Sequence, residues 1–290
     1  MTITEATTRT LDVPGASLTY DVRGGSSDSP ALFLIGSPMA AAGFGTLAGH
    51  FPDRTIITYD PRGSERSTKD DPTSESSPEQ HADDLHRVIQ EVGGPVDLFA
   101  SSGGAVNAFA LVTKHPNDVR TLVAHEPPLA SVLPDSENAK AVVRAMRDTY
   151  QRGGFGAGMA HFMAVTSHRG EFPDDFVQQP APDPAMFGMP TEDDGSRTDV
   201  LLAQNIIGTT HYEPDFDALR NASTRVVIAA GAESEGEMAN RGAHAVAERL
   251  GTEAAIFPSH HGGFLGGEYG WPGEPDAFAA KLREVLGPDA

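Results

Sequence analysis

The 290-residue sequence predicts one α/β domain, a mostly parallel sheet with helices on both faces, interrupted by a single helical insertion. Three observations carry this. Short apolar, β-rich runs alternate with stretches of helical periodicity. From the third run onward the strands are apolar nearly throughout, as expected where both faces of a parallel sheet are covered. The alternation then stops after Pro127 and Pro128 and resumes only about 90 residues later.

Eight strands are expected, over 9–13, 18–22, 31–35, 55–59, 96–100, 121–124, 225–230 and 254–257. Between them, Ser77, Pro78, Glu79 and Gln80 form a helix start, with a capping serine, proline in the first turn and a glutamine set to close a capping box. His81, Leu85, Val88, Ile89 and Val92 follow at helical spacing, and Gly93 ends the helix. Further helices are expected over about 104–115, stopped by Pro116, and about 237–250, stopped by Gly251. The interruption reads as an inserted subdomain, with helices near 137–151 and 199–207 and a Pro-, Asp- and Met-rich loop over 173–194. The expected division is core 1–128, insertion 129–221 and core 222–290.

Composition narrows the function. A net charge of −20, from 21 basic against 41 acidic residues, argues against nucleic acid or an anionic membrane as partner, so a small-molecule substrate is expected. The absence of cysteine excludes disulfides, thiolate metal sites and a cysteine nucleophile. A polar first segment and no run of 18 apolar residues lead us to expect a cytoplasmic protein, as a monomer or homodimer. The adjacent pair His260 and His261, and the pair His81 and His86, lack helical zinc-pair spacing, and no metal or other cofactor is expected.

Chemistry concentrates where Val96 to Phe99 lead into Ala100, Ser101, Ser102, Gly103 and Gly104. This strand-to-helix passage, with small residues two before and two after Ser102, is a relaxed nucleophile elbow. The turn is so sharp that a larger side chain nearby would crowd it. Ser101 is the neighbouring alternative, but that choice would put Phe99 where a small residue is needed. His261 follows the last strand and precedes Gly262 and Gly263, and an imidazole is suited to proton transfer near neutral pH. His260 is its competitor.

Four segments taken together resemble the α/β-hydrolase superfamily: Leu32 to Pro38, Tyr59 to Ser67, Ala100 to Gly104, and Pro258 to Phe264. The resemblance spans nearly the whole chain. It implies the α/β-hydrolase fold, with a mostly parallel eight-stranded sheet and a helical cap insertion. It further implies an oxyanion hole from the backbone N–H groups of Ser37 and Gly103, with Gly36 beside the substrate, and Ser102 and His261 as nucleophile and base. Asp60 and Arg62 would brace the loop after the fourth strand. Two departures stand out: Ile35 occupies the place of a frequent histidine, and Ser234 the place where an aspartate commonly completes the triad. The acid is therefore open between Glu233 and Glu126, with Asp97 a weaker alternative at the wrong end of its strand.

Within that superfamily a serine nucleophile implies acyl chemistry, and the apolar Met159, Phe162 and Met163 of the insertion are candidates to line a pocket. The leading expectation is hydrolysis of an ester or lactone of a moderately hydrophobic small molecule. A cofactor-free C–C hydrolase or cyclase, and a ligand-binding homologue without catalysis, are the alternatives.

Overall fold

The computed structural model describes residues 6–24 and 29–287. The expectation drawn from the polar N-terminal segment lies partly outside them. The strands are β1 (Ala6–Val13), β2 (Ala16–Arg23), β3 (Leu32–Ile35), β4 (Ile56–Tyr59), β5 (Thr68–Lys69), β6 (Val96–Ser101), β7 (Val119–His125), β8 (Arg225–Gly231) and β9 (Ala255–Phe257). Eight of them form one path in the order β1-β2-β4-β3-β6-β7-β8-β9, and the two-residue β5 pairs with β2 off that path. The β1–β2 and β2–β4 pairings are antiparallel, and every pairing from β4–β3 to β8–β9 is parallel.

Side-chain alternation splits the strands between two cores. In β3, Phe33 and Ile35 join the core under helices α2 (Pro78–Val92), α3 (Gly103–Lys114) and α7 (Met238–Leu250). Leu32 and Leu34 point the other way, toward α1 (Gly45–Gly49) and α8 (Pro275–Leu286). A strand buried on both faces must be apolar at every position, which is the pattern the sequence shows. The capping box of α2 is present: Gln80 N–H donates to Ser77 Oγ at 3.2 Å and Ser77 N–H to Gln80 Oε1 at 3.0 Å. Gly93 ends the helix at φ 83°.

The inserted segment contains α4 (Ser136–Thr166), a π-helical turn (Val200–Asn205), α5 (Ile206–Thr210) and α6 (Phe216–Asn221). It has its own core, with Val142, Val143, Met146, Tyr150, Val165, Leu202 and Ile206 buried together. The sequence expects a helix near 137–151, and α4 runs beyond it through a glycine-rich stretch. Only Gly154 breaks the helix, at φ 77°, and a second helical stretch continues to Thr166. Gly156 and Gly158 serve close packing: a Cβ on Gly156 would lie 1.8 Å from Pro190 O, and one on Gly158 would lie 2.7 Å from Tyr150 Cβ. Low intrinsic helix propensity hid this segment, and tertiary contact overrides it.

One set of polar contacts between the insertion and the core runs through its π-helical turn. Ser76 N–H donates to Gln204 O at 2.9 Å, Lys69 Nζ to Gln204 Oε1 at 3.1 Å, and buried His81 Nε2 pairs with Asn205 Oδ1 at 2.8 Å. No described helix is long and apolar enough to cross a membrane.

Asp97, the weaker acid alternative, has a structural task at the start of β6. Arg54 Nη2 donates to it at 2.8 Å, and Arg120 Nε and Nη2 donate at 3.0 and 2.8 Å. Both side chains of the Arg54–Asp97 pair are fully buried, so removing one partner strands a charge in the core. Asp97→Ala should lower unfolding stability by about 3–5 kcal/mol, read from urea denaturation at unchanged m-value. A loss below about 1 kcal/mol, the range of an exposed ion pair, would contradict this reading.

Candidate active site

At the carboxyl end of β6 the chain turns into α3 through Ser102, whose φ of 57° and ψ of −127° lie outside the regions open to most L-residues. Close packing holds the turn. A Cβ on Gly103 would lie 2.5 Å from Ser37 O, and one on Gly104 would lie 2.9 Å from Gly36 Cα. The loop after β3 and the elbow therefore touch backbone to backbone, bringing Gly36, Ser37, Ser102 and Gly103 together. Ser102 N–H donates to His125 O at 2.9 Å, which ties the elbow to the end of β7. Ser101 is the last residue of β6, buried, with its hydroxyl against His125 Nδ1 at 3.2 Å. Ser102 Oγ has no hydrogen-bond partner among the described residues.

The register places Glu126 beside Ser102. Ser101 pairs with His125, so the next residues, Ser102 and Glu126, leave neighbouring parallel strands at the same level. Glu126 is fully buried and also has positive φ, at 47°. One of its oxygens, Oε2, meets His261 Nδ1 at 2.6 Å. The other, Oε1, accepts from Gly231 N–H at 2.8 Å, from Asn240 Nδ2 at 3.1 Å and from the Ser234 hydroxyl. Ser234 thus stands where an aspartate was expected and donates its hydroxyl to Glu126.

Of the two glutamates left open by the sequence, the structure pairs Glu126 with His261. Glu233 is exposed, its carboxylate meets only the Ser259 hydroxyl at 3.4 Å, and it is not the partner of His261. Its longer side chain is spent on the surface because the loop after β8 turns Ser234 inward instead. His260 is directed elsewhere, with Nε2 3.3 Å from Pro272 O and Nδ1 accepting from Gly262 N–H. Gly263 lets the chain double back, since a Cβ there would lie 2.7 Å from Pro258 O.

The bracing residues sit beside this centre. Asp60 Oδ1 accepts from Ala41 N–H at 3.0 Å, holding the segment that follows the Ser37 loop. Arg62 makes a two-pronged pair with buried Asp84, with both contacts at 2.7 Å, and is no free clamp for a substrate carboxylate. From the insertion, Thr209 reaches the elbow: a Cβ on Gly103 would lie 3.3 Å from Thr209 Cγ2. The sequence carries no signal for Thr209, because its proximity follows only from how α5 lies across the core. Met159 and Phe162 pack against the insertion's own core, and Met163 is half-buried on the same helix.

The protonation states are set by the surroundings. Burial pushes the Glu126 carboxyl up, but the hydrogen bond and charge of His261 and the Ser234 hydroxyl outweigh it, holding Glu126 well below the ordinary carboxylate range. Burial opposes charge on His261, yet the Glu126 hydrogen bond and the charges of Glu126 and Glu237 raise its pKa above the ordinary 6.5. An ionised Glu126 accepts from Nδ1–H, so Nε2 carries the free basic lone pair when the ring is neutral.

Among the described residues, two groups of side chains have donor atoms close enough to share a metal ion: His125, Glu126 and His261, and half-buried His86 and His115 with buried Asp118. In the first, the Glu126–His261 hydrogen bond already uses the facing donors. In the second, the two rings stack in parallel at 3.8 Å and 9°, and His86 Nδ1 already meets Asp118 Oδ2 at 2.6 Å.

A family model for the alpha/beta hydrolase fold matches residues 24–237. The chain belongs to the α/β-hydrolase fold family. Among curated relatives of this α/β-hydrolase, "Uncharacterized hydrolase YraK" of Bacillus subtilis (strain 168) is 30% identical over 262 residues, covering 88% of this chain and 89% of that protein. Among solved structures, MGS-M2, an alpha/beta hydrolase enzyme from a Medee basin deep-sea metagenome library, superposes with a TM-score of 0.68 at 14% identity, covering 97% and 98% of the two chains. A thermophilic esterase from Thermogutta terrifontis gives 0.66 at 19% identity, with coverage of 97% and 98%. Such distant likeness shows the shared fold, and hydrolase activity is supported by the family and the curated relative together.

A pH dependence follows from the Glu126–His261 pair. A base works only when deprotonated, so kcat/KM should rise with pH through a midpoint above 6.5, the direction in which His261 is shifted. Glu126→Gln removes the charge that raises His261 and should move this midpoint toward acid while lowering kcat. An unmoved midpoint in that variant would show that another group is being titrated.

Proposed function

We propose that this hydrolase cleaves an ester or lactone of a moderately hydrophobic small molecule through an acyl-enzyme on Ser102. The observation that carries the reading is that Ser102, in a strained turn, leaves β6 level with buried Glu126 at the end of β7, and that Glu126 holds His261 by Nδ1 at 2.6 Å. In the proposed reaction, Ser102 Oγ attacks the carbonyl carbon as His261 Nε2 takes the hydroxyl proton. The oxyanion accepts from the N–H groups of Ser37 and Gly103, each donor being worth about 3 kcal/mol of barrier by the usual effect of its removal. Collapse breaks the bond to the alcohol oxygen, which leaves with the proton from His261. Water then attacks the acyl-enzyme as His261 takes its proton, and the acid departs with Ser102 Oγ reprotonated.

Neighbouring structures described as esterases make ester hydrolysis the first chemistry to assay. The insertion is proposed as the cap that shapes the acyl or alcohol pocket. Thr209 lies against the elbow from that side, and Met159, Phe162 and Met163 offer adaptable apolar surface on α4.

A fluorophosphonate should label wild-type protein once, at Ser102, and Ser102→Ala should abolish both labelling and ester turnover while leaving thermal unfolding unchanged. Labelling at Ser101, or undiminished turnover in the alanine variant, would overturn the assignment. Labelling of Ser102 without turnover of any simple ester would favour C–C cleavage or cyclisation at the same site. Replacing Met159, Phe162 or Met163 by Ala should alter relative kcat/KM across a chain-length series of esters by about 1–3 kcal/mol. Identical profiles would remove these residues from the pocket.

A further inference from the structure

His125 lies immediately behind the proposed centre and takes no part in the reaction described. Its ring is fully buried and surrounded by Phe99, Phe257, Phe264 and Phe278, with centroids 5.4–6.3 Å away. The His261 ring is 5.8 Å distant. Nδ1 meets Ser101 Oγ at 3.2 Å, while Nε2 is buried without a partner. A polar nitrogen left unsatisfied in an aromatic cage destabilises the fold, and phenylalanine would suit the same cage. Burial pushes the imidazole down to about 4, so it is neutral at pH 7 and contributes no charge to the site.

What His125 does contribute is connection. It precedes Glu126 in the chain, its carbonyl accepts from Ser102 N–H at 2.9 Å, and its side chain holds the hydroxyl of the residue before Ser102. The backbone and side chain of one residue thus join the strand end that carries the nucleophile to the strand end that carries the acid. Backbone pairing alone leaves the last residue of β6 free to twist as the chain enters the strained turn. The Ser101–His125 contact removes that freedom on the side away from solvent.

We infer that His125 is a positioning residue, which through Ser101 sets the alignment of Ser102 against Glu126 and His261, at a cost in stability that a purely structural residue would not incur. The inference rests on the acyl-transfer reading above. It accounts for a polar pair in an otherwise apolar layer and for the orphaned Nε2, because geometry at a reacting centre is sensitive to displacements of an ångström.

The test is a double-mutant cycle in the full-length protein with a chromogenic ester, with fluorophosphonate labelling of Ser102 run in parallel. His125→Phe should lower kcat by roughly ten- to a hundredfold with KM nearly unchanged, while its melting temperature stays the same or rises. Ser101→Ala, a milder change should the first variant fold poorly, should give a similar loss. The double variant should be no worse than either single, because both remove one contact. His125→Asn, whose amide can stand where Nδ1 does, should recover most of the activity. Wild-type kcat in both single variants, multiplicative losses, or a melting temperature that falls with activity and is not rescued by asparagine would each overturn the inference. If wild-type Ser102 is neither labelled nor needed for turnover, the acyl-transfer reading itself has failed, an outcome distinct from these.

Discussion

One buried carboxylate organises the carboxyl edge of the sheet. Glu126 has no access to solvent, and an ionised group in such a place is tolerable only when its oxygens are fully partnered. Its partners come from separate parts of the chain: Gly231 at the end of β8, Ser234 in the following loop, Asn240 on α7 and His261 beyond β9. Each must arrive in register for the charge to be satisfied. The same requirement that makes the carboxylate affordable in the core therefore places His261, fixes its tautomer and anchors the start of α7.

The Ser102 side is governed by steric exclusion. Gly103 and Gly104 let the elbow press against the backbone of Gly36 and Ser37, and no side chain beyond hydrogen fits at either position without displacing main chain. This contact brings the two N–H groups proposed for the oxyanion hole into one neighbourhood. It also explains why the positive φ of Ser102 persists: α3, β6 and the Ser37 loop are each held by an extensive core, and together they determine the turn between them.

The insertion obeys a different logic. Most of its apolar residues form a core of their own, joined by Met238 of α7, while Leu129, Val132 and Leu219 pack into the core under α7; polar contacts of Gln204 and Asn205, the Arg241–Asp135 pair and the approach of Thr209 to the elbow complete the junction. A unit whose apolar residues are mostly gathered in a core of its own can change residues on α4 with little disturbance of the sheet. That separation suits a part proposed to select substrates and not to perform chemistry.

Much of this was legible along the chain because it depends on local requirements. Continuous apolar runs mark strands covered on both faces, small residues around Ser102 are demanded by a sharp turn, and Gly262 and Gly263 after His261 by a doubled-back loop. The acid was not legible. Glu126 and Glu233 are both glutamates just past the ends of adjacent strands, and nothing in the neighbouring residues says which one turns inward. The difference is whether four donors from elsewhere in the chain surround the carboxylate, a long-range matter that only packing decides. The same holds for Thr209, for the Ser101–His125 contact and for the second helical stretch of α4, whose glycines read as breaks until close packing gives them a purpose. Sequence by itself determined the class of fold and the nucleophile and base proposed here, since turn geometry and strand burial are written in consecutive residues. Tertiary structure alone decided which glutamate pairs with His261 and what supports it, since the solvation of a buried charge is a property of everything around it.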